Sequence, residues 1–244
     1  MKFAAIIPAR YGSTRFPGKP LAKIKGTSMI ERVYNQALKA LDHVYVATDD
    51  ERIEKEVKKF GGNCIMTKPT HKSGTDRLAE AVQLIEETNK EYYDVIINVQ
   101  GDEPFIHPEQ IKELCACFDE ENTEIATLAK YITDNNEIFN PNLPKLITNY
   151  NSEAIYFSRS PIPYIRGEGE SKWVEKHSFK KHLGMYGYRT EILKTLTNLT
   201  PSSLEQAESL EQNRWLENGY TIKVRMTEYK NHPVDTPGDL KDLE

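Results

Sequence analysis

Short apolar runs alternate with amphipathic helical patterns along the first half of the sequence. This alternation is typical of βαβ units, in which parallel strands form one sheet and the connecting helices cover its faces. Strands are predicted at residues 2–9, 44–48, 63–67, 94–100 and 124–131. Helices are predicted at 28–41, 50–60, 75–88 and 108–118, the first opened by a capping box from Ser28 to Glu31. The pattern therefore predicts an α/β fold with a mostly parallel, doubly wound sheet.

The pattern changes near residue 135. Prolines recur between 141 and 163, and only short strands are predicted there, at 145–150 and 155–158. Residues 166–176 are polar and contain glycine, which predicts a loop. The βα pattern resumes with a strand at 182–188, a helix at 203–217 and a strand at 221–226. We therefore expect a single domain over residues 1–244 with an inserted antiparallel lobe at about 135–181, which serves as a dimerisation arm or as a lid.

Composition excludes several classes of protein. No apolar run approaches the ~18 residues of a membrane span. The apolar run at the start of the sequence is also too short for a secretory signal. The three cysteines, at 64, 115 and 117, are too few for a disulfide framework and lack the spacing of a zinc site. A net charge of −5 argues against a nucleic-acid-binding domain, which is usually basic. We expect a cytoplasmic protein without a membrane segment.

The segment after the first predicted strand is unusually cationic. Residues 1–30 contain six Lys and Arg and no acid, and Arg10, Arg15 and Lys19 lie within ten residues of one another, beside Gly12 and Gly18. The spacing is that of neither a Walker A loop nor a G-x-G-x-x-G fingerprint. Ligands bind at the carboxyl ends of such strands, and clustered cations with close backbone approach suit a triphosphate. The alternative is a surface turn with solvated cations.

Two aspartates are candidates for holding a metal ion. Asp102 follows the fourth predicted strand in the segment Asn98–Pro104, where a carboxylate is poorly placed for packing. It is well placed to hold Mg²⁺, which takes one or two carboxylates together with phosphate oxygens. Asp235 precedes a proline-started helix, so it is either a second ligand or a helix N-cap.

A third candidate segment is His71–Arg77, between the third predicted strand and its helix. Ser73 and its neighbours present hydroxyl and backbone N–H groups at a helix N-terminus, which suits a polar or anionic ligand group. Simple helix capping explains the same residues.

Together these motifs resemble the nucleotidyltransferases that make CMP-activated sugar acids, and specifically the 3-deoxy-manno-octulosonate (Kdo) cytidylyltransferase family. The resemblance runs nearly end to end through IIPARYGSTRFPGKPL, HKSGTDR, NVQGDEP, YFSRSPIPY, KHLGMYGYR, LEQAESLEQNRW and VDTPGDL. It implies a three-layer α/β/α fold like that of nucleotide-diphospho-sugar transferases. It further implies a homodimer built through the inserted lobe, and lipopolysaccharide precursor synthesis in the cytoplasm.

The resemblance also implies roles for individual residues. It assigns Arg10, Arg15 and Lys19 to the CTP phosphates, and Ser73 and Arg77 to the surroundings of the nucleotide. It assigns Asp102 and Asp235 to Mg²⁺, with Lys19 and both aspartates as the catalytic set. The residues that it places at the sugar acid are Gln100, Arg159, His182, Tyr186, Glu211 and Gln212.

The function expected on this basis is transfer of CMP from CTP to Kdo with release of pyrophosphate. Two alternatives stay open. A cytidylyltransferase for 8-amino-Kdo or sialate would share the loop and the metal site and differ in the sugar pocket. A non-catalytic nucleotide sensor would not need Lys19 and the aspartate pair to hold a leaving group.

Overall fold

The computed structural model describes residues 1–12, 16–71, 73–234 and 236–241, with residue 241 described through its backbone alone. The strands in chain order are β1 (Phe3–Ala9), β2 (Lys23–Ile24), β3 (Thr27–Ser28), β4 (Val44–Thr48), β5 (Asn63–Met66), β6 (Val95–Asn98), β7 (Ile125–Tyr131), β8 (Lys145–Thr148), β9 (Ala154–Ser158), β10 (Lys180–Arg189) and β11 (Ile222–Met226). The helices are α1 (Met29–Leu38), α2 (Glu51–Lys59), α3 (Gly74–Asn89), α4 (Pro108–Cys115), α5 (Asn135–Phe139), α6 (Trp173–Lys176), α7 (Thr190–Leu196), α8 (Ser203–Glu208), α9 (Gln212–Glu217) and α10 (Pro237–Lys241). Short 3₁₀ segments occur at Lys19–Leu21, Ala116–Asp119 and Glu170–Lys172.

The chain divides into two compact units. Unit 1 consists of residues 1–115, 187–197 and 229–244, and unit 2 of residues 116–186 and 198–228. Strand β10 begins in unit 2 and ends in unit 1. The lobe expected at about 135–181 lies within unit 2, and its role in dimerisation stays a prediction.

Unit 1 is built on parallel strands in the order β6-β1-β4-β5. The middle residues of β1, β4 and β6 are fully buried, as expected for strands covered by helices on both faces. The chain moves outward from β1 through α1 and α2 to β5, then returns through α3 to the other side of β1. Because such crossovers are right-handed, α3 covers the face opposite to α1 and α2. The expected three-layer, mostly parallel α/β fold is thereby confirmed.

The strand order indicates at which edge of the sheet a ligand is expected to bind. The strand order reverses between β1 and β6, and in open α/β sheets ligands bind at such a switch point, beyond the carboxyl ends of the strands. The segments that follow β1 and β6 are the predicted cationic loop and the segment carrying Asp102. The sequence therefore predicted correctly which two loops meet at this edge.

Unit 2 combines a parallel pair with an antiparallel extension. Strands β7 and β11 pair in parallel, whereas β8 pairs antiparallel with both β9 and β10. A small core of Ile132, Ile138, Trp173 and Phe179 lies within the expected lobe and its margin. Because Trp173 packs into this core, residues 170–176 form a 3₁₀ segment and helix α6, and the prediction of a loop over 166–176 was wrong for that part.

The first predicted helix is present as α1, but its capping box was wrong, and so was the single helix over 203–217. Ser28 precedes α1 but its side chain makes no capping hydrogen bond, because it lies in strand β3 with its hydroxyl buried and without a hydrogen-bond partner among the described residues. The helix expected over 203–217 is two helices. Ser209 adopts a left-handed conformation (φ 51°) that ends α8, and its amide and that of Leu210 both donate to the Glu205 carbonyl. No helix in the described part of the chain is long and apolar enough to cross a membrane.

Candidate active site

The loop after β1 returns on itself before Lys19. The Gly18 amide donates to the Tyr11 carbonyl at 2.9 Å, and Gly18 has φ 72°, a left-handed conformation that side chains disfavour. A Cβ at Gly18 would also lie 3.1 Å from the ring of Tyr11. Glycine at this position therefore lets the loop close and start the 3₁₀ segment at Lys19.

Lys19 joins the two loops at the switch point. Its Nζ lies 2.8 Å from Oδ2 of Asp102 and 2.8 Å from the carbonyl oxygen of Val234. The Lys19 side chain is 14% exposed and that of Asp102 is 33% exposed, so the ion pair is partly shielded from water. The structure thus brings together the cation and the carboxylate that sequence analysis had singled out separately.

The position of Asp102 is fixed by its neighbours in the chain. A Cβ on Gly101 would lie 2.9 Å from the carbonyl oxygen of Pro8, so only glycine lets β1 and the Asp102 loop approach this closely. The Asp102 carbonyl accepts a hydrogen bond from the Val234 amide at 2.9 Å. Val234 is itself fully buried against Ile24 and Met29, which fixes the carbonyl that Lys19 contacts.

The donor set at this edge fits a hard divalent cation. Among the described residues no group of three or more His, Cys, Asp or Glu could hold a metal ion, so the described residues around Asp102 form no complete protein cage. Mg²⁺ is held in this way, by one or two carboxylates with the remaining positions filled by water and phosphate oxygens. Asp235 and Arg15 lie outside the described residues.

The other predicted site residues of unit 1 occupy different environments. Arg10 is exposed directly after β1, and Gln100 is half-buried after β6. Ser73 caps α3 in a reciprocal capping box with Asp76, which confirms that Ser73 serves as a helix cap. Arg77 is 5% exposed and donates to Thr67 at 2.6 Å.

Arg77 also forms an ion pair with Asp49, at 3.2 Å. Asp49 follows β4 and Thr67 follows β5, so Arg77 ties together the loops after these two neighbouring strands. In this structure the Arg77 side chain is buried and connects these two loops, and it is not exposed to solvent.

In unit 2, Arg159 is held by backbone carbonyls. Its Nε donates to the carbonyl of Glu208 at 2.6 Å, Nη1 to that of Pro141 at 2.9 Å and Nη2 to that of Ser209 at 3.3 Å. A guanidinium has five N–H groups, and these contacts use one each on Nε, Nη1 and Nη2. One N–H group therefore remains on Nη1 and one on Nη2. No carboxylate among the described residues forms a direct ion pair with this guanidinium, but Glu208 lies near enough to interact with its charge.

His182 is neutral, and its tautomer follows from its partner. Burial holds the pKa of His182 well below its ordinary value. Its Nε2 lies 3.0 Å from Oγ1 of Thr127, and that hydroxyl donates its single proton to the Met185 carbonyl at 2.7 Å. Nε2 must therefore carry the proton and Nδ1 is left as an acceptor. The ring of Tyr186, which is 7% exposed, lies 5.2 Å from that of His182.

Glu211 and Gln212 begin α9 instead of lying in the middle of a long helix. Glu211 occupies the N-cap position of α9, because the helix predicted over 203–217 is interrupted at Ser209. Gln212 is 5% exposed, and its Nε2 has no hydrogen-bond partner among the described residues. A buried amide donor without a partner is costly unless a ligand satisfies it.

Sequence reasoning missed three groups that shape these sites. The Val234 carbonyl that receives Lys19 and the carbonyls around Arg159 carry no signal in residue type. Glu208, whose carboxylate contacts the segment of Arg159, looked like an ordinary surface residue of a predicted helix. Thr127 sits in a predicted strand, and only its contact with His182 reveals its role.

Comparisons with known proteins agree on one family. A model described as cytidylyltransferase matches residues 4–224. The chain is 57% identical to a 3-deoxy-manno-octulosonate cytidylyltransferase of Parabacteroides distasonis, over 99% of this chain and 96% of the relative. The protein of the same name from Bacteroides thetaiotaomicron is 53% identical, over 100% and 97%.

Solved structures give the same result. A CMP:2-keto-3-deoxy-manno-octonic acid synthetase complexed with CTP superimposes with a TM-score of 0.89 at 42% identity, covering 100% of this chain and 97% of that one. A 4-diphosphocytidyl-2C-methyl-D-erythritol synthase from Anaerococcus prevotii has a TM-score of 0.62 at 11% identity, with coverage of 99% and 96%. At that identity the second likeness concerns the fold alone.

Proposed function

Since the chain belongs to the 3-deoxy-manno-octulosonate cytidylyltransferase family, we propose that it transfers CMP from CTP to Kdo and releases pyrophosphate. The anomeric hydroxyl oxygen of the sugar acid forms a bond to the α-phosphorus of CTP. The bond from that phosphorus to the β-phosphate oxygen breaks, pyrophosphate leaves with its electron pair, and the hydroxyl proton passes to solvent. The relatives carry the name of this activity and not that of a sialate or 8-amino-Kdo enzyme, so those alternatives are not favoured.

Unit 1 supplies the nucleotide half of this reaction. Lys19 and Arg10 carry positive charge at the edge where β1 and β6 end, and phosphoryl-type transfer asks a protein mainly for positioning and charge stabilisation. In the proposed reaction Lys19 exchanges its contact with Asp102 for the leaving pyrophosphate. Ser73 lies at the N-terminus of α3, and Arg77 positions the neighbouring loops through Asp49.

Asp102 is the proposed Mg²⁺ ligand, with Asp235 as the second. The exposed part of the Asp102 carboxylate is a hard oxygen donor beside the proposed phosphate site. When bound, Mg²⁺ would offset charge on the phosphate oxygens next to that carboxylate. The chain's own contribution is to hold Asp102 by the close approach of Gly101 to Pro8.

Unit 2 supplies groups for the sugar acid. The two remaining N–H groups of Arg159 suit the planar carboxylate of Kdo. Nδ1 of neutral His182 accepts a hydrogen bond from a sugar hydroxyl, and the unsatisfied Nε2 of Gln212 donates one. Tyr186 and Glu211 are the other groups proposed from this unit, and Gln100 of unit 1 stays a predicted sugar residue.

Two of the three cysteines are poorly suited to covalent catalysis. Burial raises the pKa of Cys64 to about 12 and that of Cys117 to about 11, so both thiols are protonated near neutral pH. A thiol in this state is a poor nucleophile. Direct attack by the sugar hydroxyl is therefore the proposed route.

The observation that carries the proposal is the convergence of Lys19, Asp102 and the Val234 carbonyl at the switch point. The test is pyrophosphate release by the purified protein with each of four nucleoside triphosphates and with Kdo, 8-amino-Kdo and sialate. We expect release with CTP and Kdo that exceeds every other pair. Binding of CTP without pyrophosphate release with any acid would favour the sensor function instead.

We further propose a homodimer formed through the lobe at 135–181, in a cytoplasmic enzyme of lipopolysaccharide precursor synthesis. Tyr150, Ile155 and Tyr164 in this lobe are large apolar side chains exposed in the single chain. A contiguous patch of exposed apolar groups is typical of a protein interface, and the proposed dimer requires these side chains to contribute to one. Light scattering on the purified protein tests the dimer, and Ile155→Glu is expected to weaken it.

A further inference from the structure

Arg159 is held through both its backbone and its side chain by one acidic residue. The Arg159 amide donates to Oε2 of Glu208 at 3.0 Å, and Nε of Arg159 donates to the Glu208 carbonyl at 2.6 Å. Glu208 therefore fixes where Arg159 lies and also how its guanidinium is turned.

The Glu208 carboxylate binds three donors from the end of β9. Besides the Arg159 amide, Oε1 accepts from the Ser158 hydroxyl at 2.6 Å and from the Tyr156 hydroxyl at 3.2 Å. Burial alone would raise the pKa of Glu208, but the hydrogen bonds from Ser158, the Arg159 amide and Tyr156 hold it below its ordinary value. The carboxylate is thus charged at neutral pH, and its hydrogen bonds connect α8 to Tyr156, Ser158 and the Arg159 amide.

The left-handed turn at Ser209 completes the arrangement. By ending α8 directly after Glu208, it exposes the carbonyls of Glu208 and Ser209, which would otherwise accept hydrogen bonds within a longer helix. Both carbonyls instead accept from the Arg159 guanidinium. A left-handed conformation is uncommon for a residue other than glycine, and here it serves this contact.

The opposite side of the Arg159 backbone is also fixed. Nζ of Lys145, a fully buried side chain, donates to the Arg159 carbonyl at 2.6 Å and to the Asn140 carbonyl at 2.9 Å. Arg159 is therefore held at its amide, its carbonyl and its guanidinium, while two guanidinium N–H groups are left over. Such preorganisation suits recognition of one planar anion.

We propose that Glu208 is a positioning residue for sugar-acid recognition, which sets the guanidinium of Arg159 for the carboxylate of the substrate. The inference rests on the proposed function, because it takes the substrate anion from there. Glu208 itself does not contact the reacting atoms.

The test compares steady-state kinetics of the wild type, Glu208→Gln, Arg159→Ala and the double variant. Glu208→Gln keeps the size of the side chain but turns one acceptor oxygen into a donor that faces Ser158 or the Arg159 amide. We expect KM for Kdo to rise about tenfold, the effect of one lost charge-assisted hydrogen bond, while KM for CTP stays within twofold. In the Arg159→Ala background, Glu208→Gln is expected to raise KM for Kdo no further, because the group that it positions is already gone.

Glu205→Gln is the matched control. Glu205 lies on the same helix, one turn earlier, and forms an ion pair with Arg214 at 2.5 Å together with the capping box at Ser202. We expect Glu205→Gln to lower Tm without changing either KM. Should Glu208→Gln not fold, Ser158→Ala removes the 2.6 Å contact with Glu208, together with the hydrogen bond that the Ser158 hydroxyl accepts from the Ser160 amide, and a smaller rise in KM for Kdo is expected.

The outcomes separate the inference from the proposed function. If the wild type releases no pyrophosphate with CTP and Kdo, the proposed function fails. If the wild type is active but Glu208→Gln leaves KM for Kdo unchanged, or raises both KM values equally, the positioning role is refuted. Additive effects of Glu208→Gln and Arg159→Ala on KM for Kdo would refute it as well.

Discussion

Replacing Lys19 with methionine tests the centre of the proposed site. Methionine keeps the length and apolar character of the side chain but removes the ammonium that lies 2.8 Å from both Asp102 and the Val234 carbonyl. In the proposed reaction that ammonium stabilises the leaving pyrophosphate. Losing one preorganised charge donor lowers kcat by about 10²–10³-fold.

The same change has a cost in stability that the sequence did not predict. Removing Lys19 leaves the Val234 carbonyl without that donor, on a residue whose side chain is fully buried. An unsatisfied buried acceptor costs about 1–3 kcal/mol. For a chain of this size each kcal/mol corresponds to a fall in Tm of about 2–4 °C.

Two assays measure these effects, pyrophosphate release for kcat and thermal melting for Tm. Lys23→Met is the control, because Lys23 is an exposed cation of the same acid-free segment and should change neither quantity. The Asp102→Asn variant and the Lys19→Met/Asp102→Asn double variant complete a cycle. Because the two side chains are in contact, their effects on unfolding should fall short of additivity by about 0.5–3 kcal/mol. A Lys19→Met enzyme with kcat within a few-fold of the wild type would refute the phosphate role.

Three further predictions follow from the two sites. Asp102→Asn is expected to abolish pyrophosphate release even in excess Mg²⁺, because the amide lacks the charge that Mg²⁺ prefers; full activity of the wild type after chelation would contradict the metal role. Arg159→Ala is expected to raise KM for the sugar acid far more than KM for CTP, and equal rises in kinetic assays would make Arg159 structural. Burial lowers the pKa of Lys145 to about 8 from an ordinary 10.5, so between these pH values the folded chain has released a proton that the unfolded chain retains. The free energy of unfolding is measured by urea titration for the wild type and for Lys145→Met. The difference between the two should therefore rise from pH 8 to 10.5 by about 1.4 kcal/mol per pH unit. A difference that does not change with pH would show that Lys145 titrates normally.

The sequence by itself determined the sheet and the location of the proposed nucleotide-binding edge. Apolar runs of β1, β4 and β6 are long enough and buried enough to require helices on both faces, and the order of strands and helices then places the loops of Lys19 and Asp102 at the same edge. These properties depend on residue type and spacing, which a single sequence displays.

Tertiary structure alone decided how the predicted side chains are held. The periodicity of residues 203–217 favours one helix, yet the chain ends α8 at Ser209, where two freed carbonyls accept hydrogen bonds from Arg159, distant in sequence. The partners of Lys19 and Arg159 include backbone carbonyls, which every residue possesses, so residue type cannot identify them. Local propensity fixed which elements form, whereas the contacts between segments far apart in the chain fixed where the helix breaks and which way the charged groups point.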